Sequence, residues 1–320
     1  MGHWHAVSAR RACATIAVVC DTDMTKATRL ATQFSGVATT DIDHALDLCD
    51  VVHICTPRAS HFALSMKALT TGRHVVCEKP ITEEYDTTST LISEASQRGL
   101  KLVPTHQFLF QDGTTRAQHA LPTLGAVRHI EMVACTAGAV GRTPDATHRV
   151  ALDILPHPLS LFERLAPGVL ADCQWTFANG LPGEIRGIAT ARGMSLSILI
   201  SCSGRPPINR MRLIAERGTI AADLFHGFAT IDRGLPSRQQ KIRQPFADAL
   251  RPLLAATGNL ARRAITSEWA YPGLRQLISL TYDAIIHGTD APIPPSEVLA
   301  VARAYDHIKR ACAASSFTRD

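Results

Sequence analysis

From residue 16 onward, short apolar and β-branched runs alternate with amphipathic stretches. Ile16 to Cys20 predicts a strand, Met24 to Phe34 a helix, Val37 to Thr39 a short strand, Asp41 to Leu48 a helix and Val51 to Ile54 a buried strand. Ser60 is placed to cap a helix whose Phe62, Met66 and Leu69 share one face, Gly72 ends it, and His74 to Cys77 is the next strand. Thr82 opens a longer helix closed by Gly99, and Lys101 to Thr105 follows as a strand. Apolar strands separated by helices imply a parallel sheet covered on both faces, hence a doubly wound dinucleotide-type domain over residues 1–118.

Past that point the pattern changes. Ala126 to Thr136, Asp172 to Ala178, Ile185 to Ala191, Ser195 to Ser201, Met211 to Ala215, Ile220 to Leu224 and Ala229 to Asp232 are strand-like, with turn signals at Arg192-Gly193 and Arg217-Gly218. Helical patterns cover about Val150 to Leu165, Ala247 to Ile265, Leu274 to His287 and Ser296 to Cys312. The expected fold class is therefore α/β: a Rossmann-type doubly wound parallel sheet, then a C-terminal α+β domain over residues 119–320 with an open, mostly antiparallel sheet. Leu250 to Ile265, with Arg251, Arg262 and Arg263, reads as a half-buried or dimer-contact helix in preference to a membrane-surface one.

Composition narrows the picture only a little. With 46% hydrophobic and 19% charged residues over 320 positions, the chain has globular character. A formal charge of +5 from scattered basic residues, with 5% aromatics, does not suggest a nucleic-acid partner. The longest run without Asp, Glu, Lys or Arg is the 12 residues Gly193 to Gly204, too short for a membrane span. Arg10-Arg11 and the apolar Ala12 to Cys20 faintly imitate a secretory leader, but the run leads straight into Asp21 and reads as a buried strand. Ala6 stands where a myristoylation signal wants Ser or Thr. Nine cysteines without a C-x-x-C pair, Cys20, Cys55 and Cys77 among them in apolar runs, read as reduced core residues of a cytoplasmic protein.

The candidate chemistry sits at strand ends. Asp21 follows the first visible strand, where an acid accepts hydrogen bonds from adenosine ribose hydroxyls and favours NAD over NADP; it is equally at home as a turn residue or helix cap. Gly2 precedes it by 19 residues, suiting the last glycine of a G-x-G-x-x-G loop. Cys55-Thr56-Pro57 and Glu78-Lys79-Pro80 end the next two predicted strands, where open parallel sheets bind ligands, although a lysine beside a proline is also an ordinary loop cation. His3-Trp4-His5 has no third ligand at a recognisable spacing, so no metal is expected.

The run D-V-V-H-I-C-T-P from Asp50, then His61, then A-L-T-T-G-R-H-V-V-C-E-K-P ending at Pro80, resembles the glucose-fructose oxidoreductase and inositol dehydrogenase family. Asp153 to His157 is similar to that family's D-x-x-x-H motif, read as one helix with both side chains on one face. The resemblance implies an NAD(P)-dependent oxidoreductase that moves a hydride between nicotinamide and a carbonyl, alcohol or imine carbon of a small molecule. It also implies a homo-oligomer joined through the C-terminal sheet. By the same resemblance, Lys79 contacts the nicotinamide ribose and the substrate oxygen, with a cis bond to Pro80, His157 is the general acid/base and Asp153 orients it. Gly2, Asp21, Thr56, Pro57, His61 and Glu78 line the cofactor, with His106 and Gln107 at its nicotinamide end.

Three positions depart from the family pattern. Leu155 replaces a glycine, Ser160 an acid, and Leu109 stands where many sugar-acting relatives carry a basic residue. These departures make a substrate less polar than a simple sugar at least as plausible as a sugar derivative. The competing reading is a non-catalytic or regulatory protein on the same scaffold, or an inactive relative shortened at its start; retention of Lys79, Asp153 and His157 together favours the enzyme. Met1-Gly2 begins where the first glycine turn should end, so the sequence suggests that the central first strand is missing. The expectation is a shortened N-terminus, weak dinucleotide binding and reduced stability.

Overall fold

The chain folds in the order α1 (Gly2–Arg11), β1 (Val18–Cys20), α2 (Met24–Phe34), β2 (Val37–Thr39), α3 (Ile42–Asp47), β3 (Val51–Ile54), α4 (His61–Thr70), β4 (His74–Cys77), α5 (Tyr85–Gln97) and β5 (Leu102–Pro104). Then come α6 (Asp112–Leu124), β6 (Val127–Cys135), α7 (Pro144–Ile154), α8 (Pro156–Leu165), β7 (Gln174–Phe177), β8 (Glu184–Ala191), β9 (Met194–Ser201), β10 (Ile208–Ala215), β11 (Gly218–Asp223), β12 (Phe228–Asp232), α9 (Arg238–Ile265), α10 (Leu274–Ile286) and α11 (Pro295–Ser315). The structure is a computed structural model and describes residues 1–178, 181–234, 238–268 and 270–315. It divides into a first unit, Met1–His106 with Leu274–Ala302, and a second, Gln107–Gly273 with Arg303 onward.

In the first unit the strands are short, parallel and built from the predicted β-branched runs. β1 pairs with β2, Val18 opposite Val37; β3, β4 and β5 form a second sheet with Val51 opposite His74 and Val75 opposite Leu102. Among the described residues no strand joins β1 to β3. Asp23 and Asp41 cap α2 and α3 by accepting from the backbone N–H groups of Thr25 and Lys26, and of Asp43 and His44. α1 was not foreseen: its apolar side meets α10, where Ala9, Leu274 and Ile278 form a buried cluster flanked by Trp4, Ile16 and Tyr282.

Several expectations need correction here. Residues 12–17 are not strand, and Cys20 is exposed instead of belonging to the core. Ser60 precedes α4 without capping it, because its hydroxyl donates to Thr56 Oγ1 and the Pro57 carbonyl. Thr82 lies before α5, buried and bonded to Thr88 and the Glu84 carbonyl.

The second unit carries one seven-stranded sheet in the order β12-β11-β10-β6-β9-β8-β7; only the β6–β9 pair is parallel. Arg192 and Gly193 both take positive φ in the β8–β9 turn, as a tight hairpin requires. One face is core: Ile185, Ala189 and Ala191 of β8 are buried, and Arg186, Ile188 and Thr190 between them face outward. α6 packs on β11 and β12, while α7 packs on β8 and β9.

Candidate active site

In the first unit the register Ile54 to Cys77 to Pro104 aligns the carboxyl ends of β3, β4 and β5. The backbone there is tied strand to strand: Glu78 N–H donates to the Ile54 carbonyl at 2.9 Å and Thr105 N–H to the Cys77 carbonyl at 2.8 Å. Thr56-Pro57, Glu78-Lys79-Pro80 and His106 therefore emerge side by side, at the edge where open parallel sheets bind ligands. Thr56 and Pro57 are exposed and Lys79 is half-buried, while His106 is buried. The Lys79–Pro80 bond is cis. His61, expected to touch the cofactor, is buried, with its ring nitrogens 2.9 Å from the Pro80 and Thr56 carbonyls. It braces one loop against the other.

Behind Glu78 lies a polar chain that sequence reasoning missed. His5 Nε2 is 3.0 Å from Glu78 Oε1, His5 Nδ1 is 2.9 Å from His53 Nδ1, and His53 Nε2 is 2.8 Å from the Tyr282 hydroxyl. Burial pulls His5 toward the neutral form, but the sulfur of Cys55 and the carboxylate of Glu78 outweigh it and raise the ring to about 9. Burial, aided by the charge on His5, lowers His53 to about 3. With His5 protonated and His53 neutral, as their shifts favour, His5 donates to Glu78 and to His53, which donates to Tyr282. Burial works against the Glu78 charge, yet the bond and charge of His5, with Lys79, hold its carboxyl below the ordinary value. The one visible hint was His5 itself, weighed above only as half of a metal pair.

Asp21 ends β1, as expected, and its Oδ1 accepts from Asp23 N–H at 3.0 Å. That bond realises the turn role without consuming the second carboxylate oxygen. Gly2 is the first residue of α1, and no side chain caps that helix. An uncapped helix N-terminus that starts on glycine, with a carboxylate at the next strand end, suits the pyrophosphate and ribose of a dinucleotide.

In the second unit the D-x-x-x-H motif departs from the expected single helix. Asp153 lies in the last turn of α7 and His157 in the first turn of α8, because Pro156 and Pro158 remove two backbone donors. Leu155 at the joint keeps helical angles and Leu159 N–H reaches its carbonyl, so the chain continues in nearly the same direction. The buried His157 ring stacks on Phe108, centroids 4.3 Å apart and planes 26° apart. Phe108 belongs to the 3-10 turn Gln107–Phe110, held by Thr114 Oγ1 donating to the Phe108 carbonyl at 2.7 Å. Gln107 itself is buried. The three departures from the family pattern are core positions: Leu109, Leu155 and Ser160 are buried, and Ser160 Oγ donates to the His157 carbonyl.

A parallel-stranded unit with polar loops at its strand ends, and a second unit with a buried histidine on an open sheet's helices, define a dinucleotide-dependent oxidoreductase. Residues 2–106 match the oxidoreductase family with an NAD-binding Rossmann fold. UDP-N-acetylglucosamine 3-dehydrogenase from Acidithiobacillus ferrooxidans is 30% identical over 271 residues, 78% of this chain and 82% of the relative. A dTDP-3,4-didehydro-2,6-dideoxy-alpha-D-glucose 3-reductase from Streptomyces violaceoruber is 31% identical over 145 residues, 42% of each chain. The chain belongs to this family, that of glucose-fructose oxidoreductase and inositol dehydrogenase, and is one of its NAD(P)-dependent dehydrogenases. The fold agrees. The solved A. ferrooxidans UDP-N-acetylglucosamine 3-dehydrogenase superimposes with a TM-score of 0.76 at 20% identity, over 98% of this chain and 94% of the other. A levoglucosan dehydrogenase solved with NADH and levoglucosan gives 0.74 at 13% identity, over 98% and 95%.

Proposed function

We propose that the chain oxidises a hydroxyl of a sugar-like substrate to a carbonyl, or runs the reverse reduction, with NAD in preference to NADP. The observation that carries this reading is the alignment of Thr56-Pro57 and Glu78-Lys79-Pro80 at the carboxyl ends of β3 and β4, braced by His61. The named activities of relatives, on UDP-N-acetylglucosamine, on D-glucosides and on scyllo-inositol, support a polyhydroxylated substrate.

The nicotinamide supplies the hydride acceptor or donor. Lys79 binds the nicotinamide ribose and the substrate oxygen, and its cation favours the oxygen as negative charge develops there. His157 takes or returns the hydroxyl proton, and Asp153 sets its orientation. Asp21 accepts from the adenosine ribose and repels an added phosphate. Gly2, Thr56, Pro57 and Glu78 line the dinucleotide, with His106 and Gln107 toward its nicotinamide end, and His61 acts through the loops it braces. The outward face of the seven-stranded sheet joins copies of the chain. No helix among the described residues is long and apolar enough to cross a membrane, and the nine free cysteines support a reducing, cytoplasmic setting.

The test is turnover on a panel of nucleotide sugars, glycosides and inositols, followed at the nicotinamide absorbance band. Lys79→Ala and His157→Gln should each fold and lose turnover, the histidine variant by about 100- to 10,000-fold. Near-parental rates in both would remove these residues from the mechanism.

A further inference from the structure

α9 is built inside out. Its polar side faces its own unit: Gln244 Nε2 donates to Asp232 Oδ2, Arg251 pairs with Asp232 Oδ1 at 2.7 Å, and Asn259 Nδ2 and Arg263 donate to the His226 carbonyl. Its apolar side faces outward, with Ile242, Phe246, Leu250, Leu253, Leu254, Leu260 and Ile265 each between 53% and 85% exposed. An ordinary surface helix has the opposite arrangement. At about 3.6 residues per turn these seven side chains fall within one arc, and the only charge in that arc among the described residues of α9 is Arg243.

We propose that this face pairs with α9 of a second copy of the chain, as an antiparallel helix pair about a two-fold axis at Leu253. Three observations select this occupant. Phe246, Leu253 and Leu260 recur every seven residues, the spacing of a helix-pairing seam. An antiparallel pairing centred on Leu253 sets Phe246 opposite the partner's Leu260, Ile242 opposite the partner's Ala264 and Ala249 opposite the partner's Thr257, so the stripe is complementary to itself, as a two-fold interface requires. The exposed apolar side chains amount to on the order of 900 Å², at roughly 200 Å² each when fully exposed, against the roughly 800 Å² per partner of a stable interface. A membrane surface fits less well, because an interfacial helix needs several cations flanking its apolar face, whereas Arg251 and Arg263 are turned inward, Arg262 lies toward Asp112 and Arg243 is the one cation within the stripe among the described residues. This contact is separate from the sheet face proposed above.

Light scattering coupled to size exclusion tests the pairing. Phe246→Glu or Leu260→Lys alone should halve the number of copies per particle, whatever number the sheet face joins, with far-UV circular dichroism unchanged because both positions are exposed within one copy. Combining Phe246→Glu with Leu260→Lys in one chain places opposite charges across the axis and should restore the parental mass. An unchanged mass in the single variants, a monomeric parent at tens of micromolar, or flotation of the parent with anionic phosphatidylserine vesicles would overturn the proposal. A parent dimer that survives the single variants would do so while leaving the sheet interface intact.

Discussion

His5 and His53 lie within 2.9 Å of each other and are shifted in opposite directions, which gives the protein a specific pH dependence. Folded His5 holds its proton up to about 9, whereas an unfolded imidazole releases it near 6.5. Its contribution is therefore fully present below pH 6.5 and lost as the pH rises through about 9. His53 has the other sign: the folded protein keeps it neutral down to about 3, so stability falls as the pH drops below 6.5. From this pair, stability peaks near pH 6.5. Urea unfolding at pH 6.5 and pH 9 should show a decline in the parent that His5→Gln lessens; equal declines would exclude the His5 assignment. The same scale holds the clearest limits of legibility. Asp21 was a candidate from its place at a strand end, where a turn residue fits equally well, and Lys79 and His157 stood out through the resemblance of their motifs to the family's. The polar chain behind Glu78 could not, since His5 is 73 residues from Glu78 and His53 and Tyr282 are separated by 229 residues, meeting only through the packing of α10 beside α1.

At the scale of elements, the best-anticipated pieces are those with both a periodic pattern and a local stop. Val37–Thr39, Val51–Ile54 and His74–Cys77 match their β-branched runs, and Met24–Phe34 matches a helix with Asp23 as its cap. α1 and α6 escaped because local propensity opposes them. α1 has no side-chain cap, and α6 contains Gly113, two adjacent threonines and Pro122; packing decides both. The split at Leu155 escaped because an i, i+4 spacing takes no account of Pro156, which removes a donor between its ends, or of Pro158, which removes one just beyond them. Gly113 explains itself in three dimensions. A Cβ there would lie 2.6 Å from the Phe228 carbonyl carbon and 2.8 Å from Ala229 N, so glycine lets α6 approach β12. Gly113→Ala should destabilise the protein by about 1–3 kcal/mol. A denaturation midpoint equal to that of the parent would show that the helix yields without cost.

At the scale of the molecule, the change from parallel strands to an open, mostly antiparallel sheet was legible in the strand pattern, but the division read there at residue 118 falls after His106 in the structure. The return of Leu274–Ala302 to the first unit was not, because nothing local to α10 specifies a partner more than 200 residues earlier. The central claim is that the first unit binds a dinucleotide with its adenosine ribose at Asp21. Fluorescence titration of the full chain with NADH and with NADPH tests it without a substrate. The account predicts tighter binding of NADH, and a smaller preference in Asp21→Ala. Tighter binding of NADPH by the parent, a preference unchanged by the substitution, or no binding of either dinucleotide would contradict it.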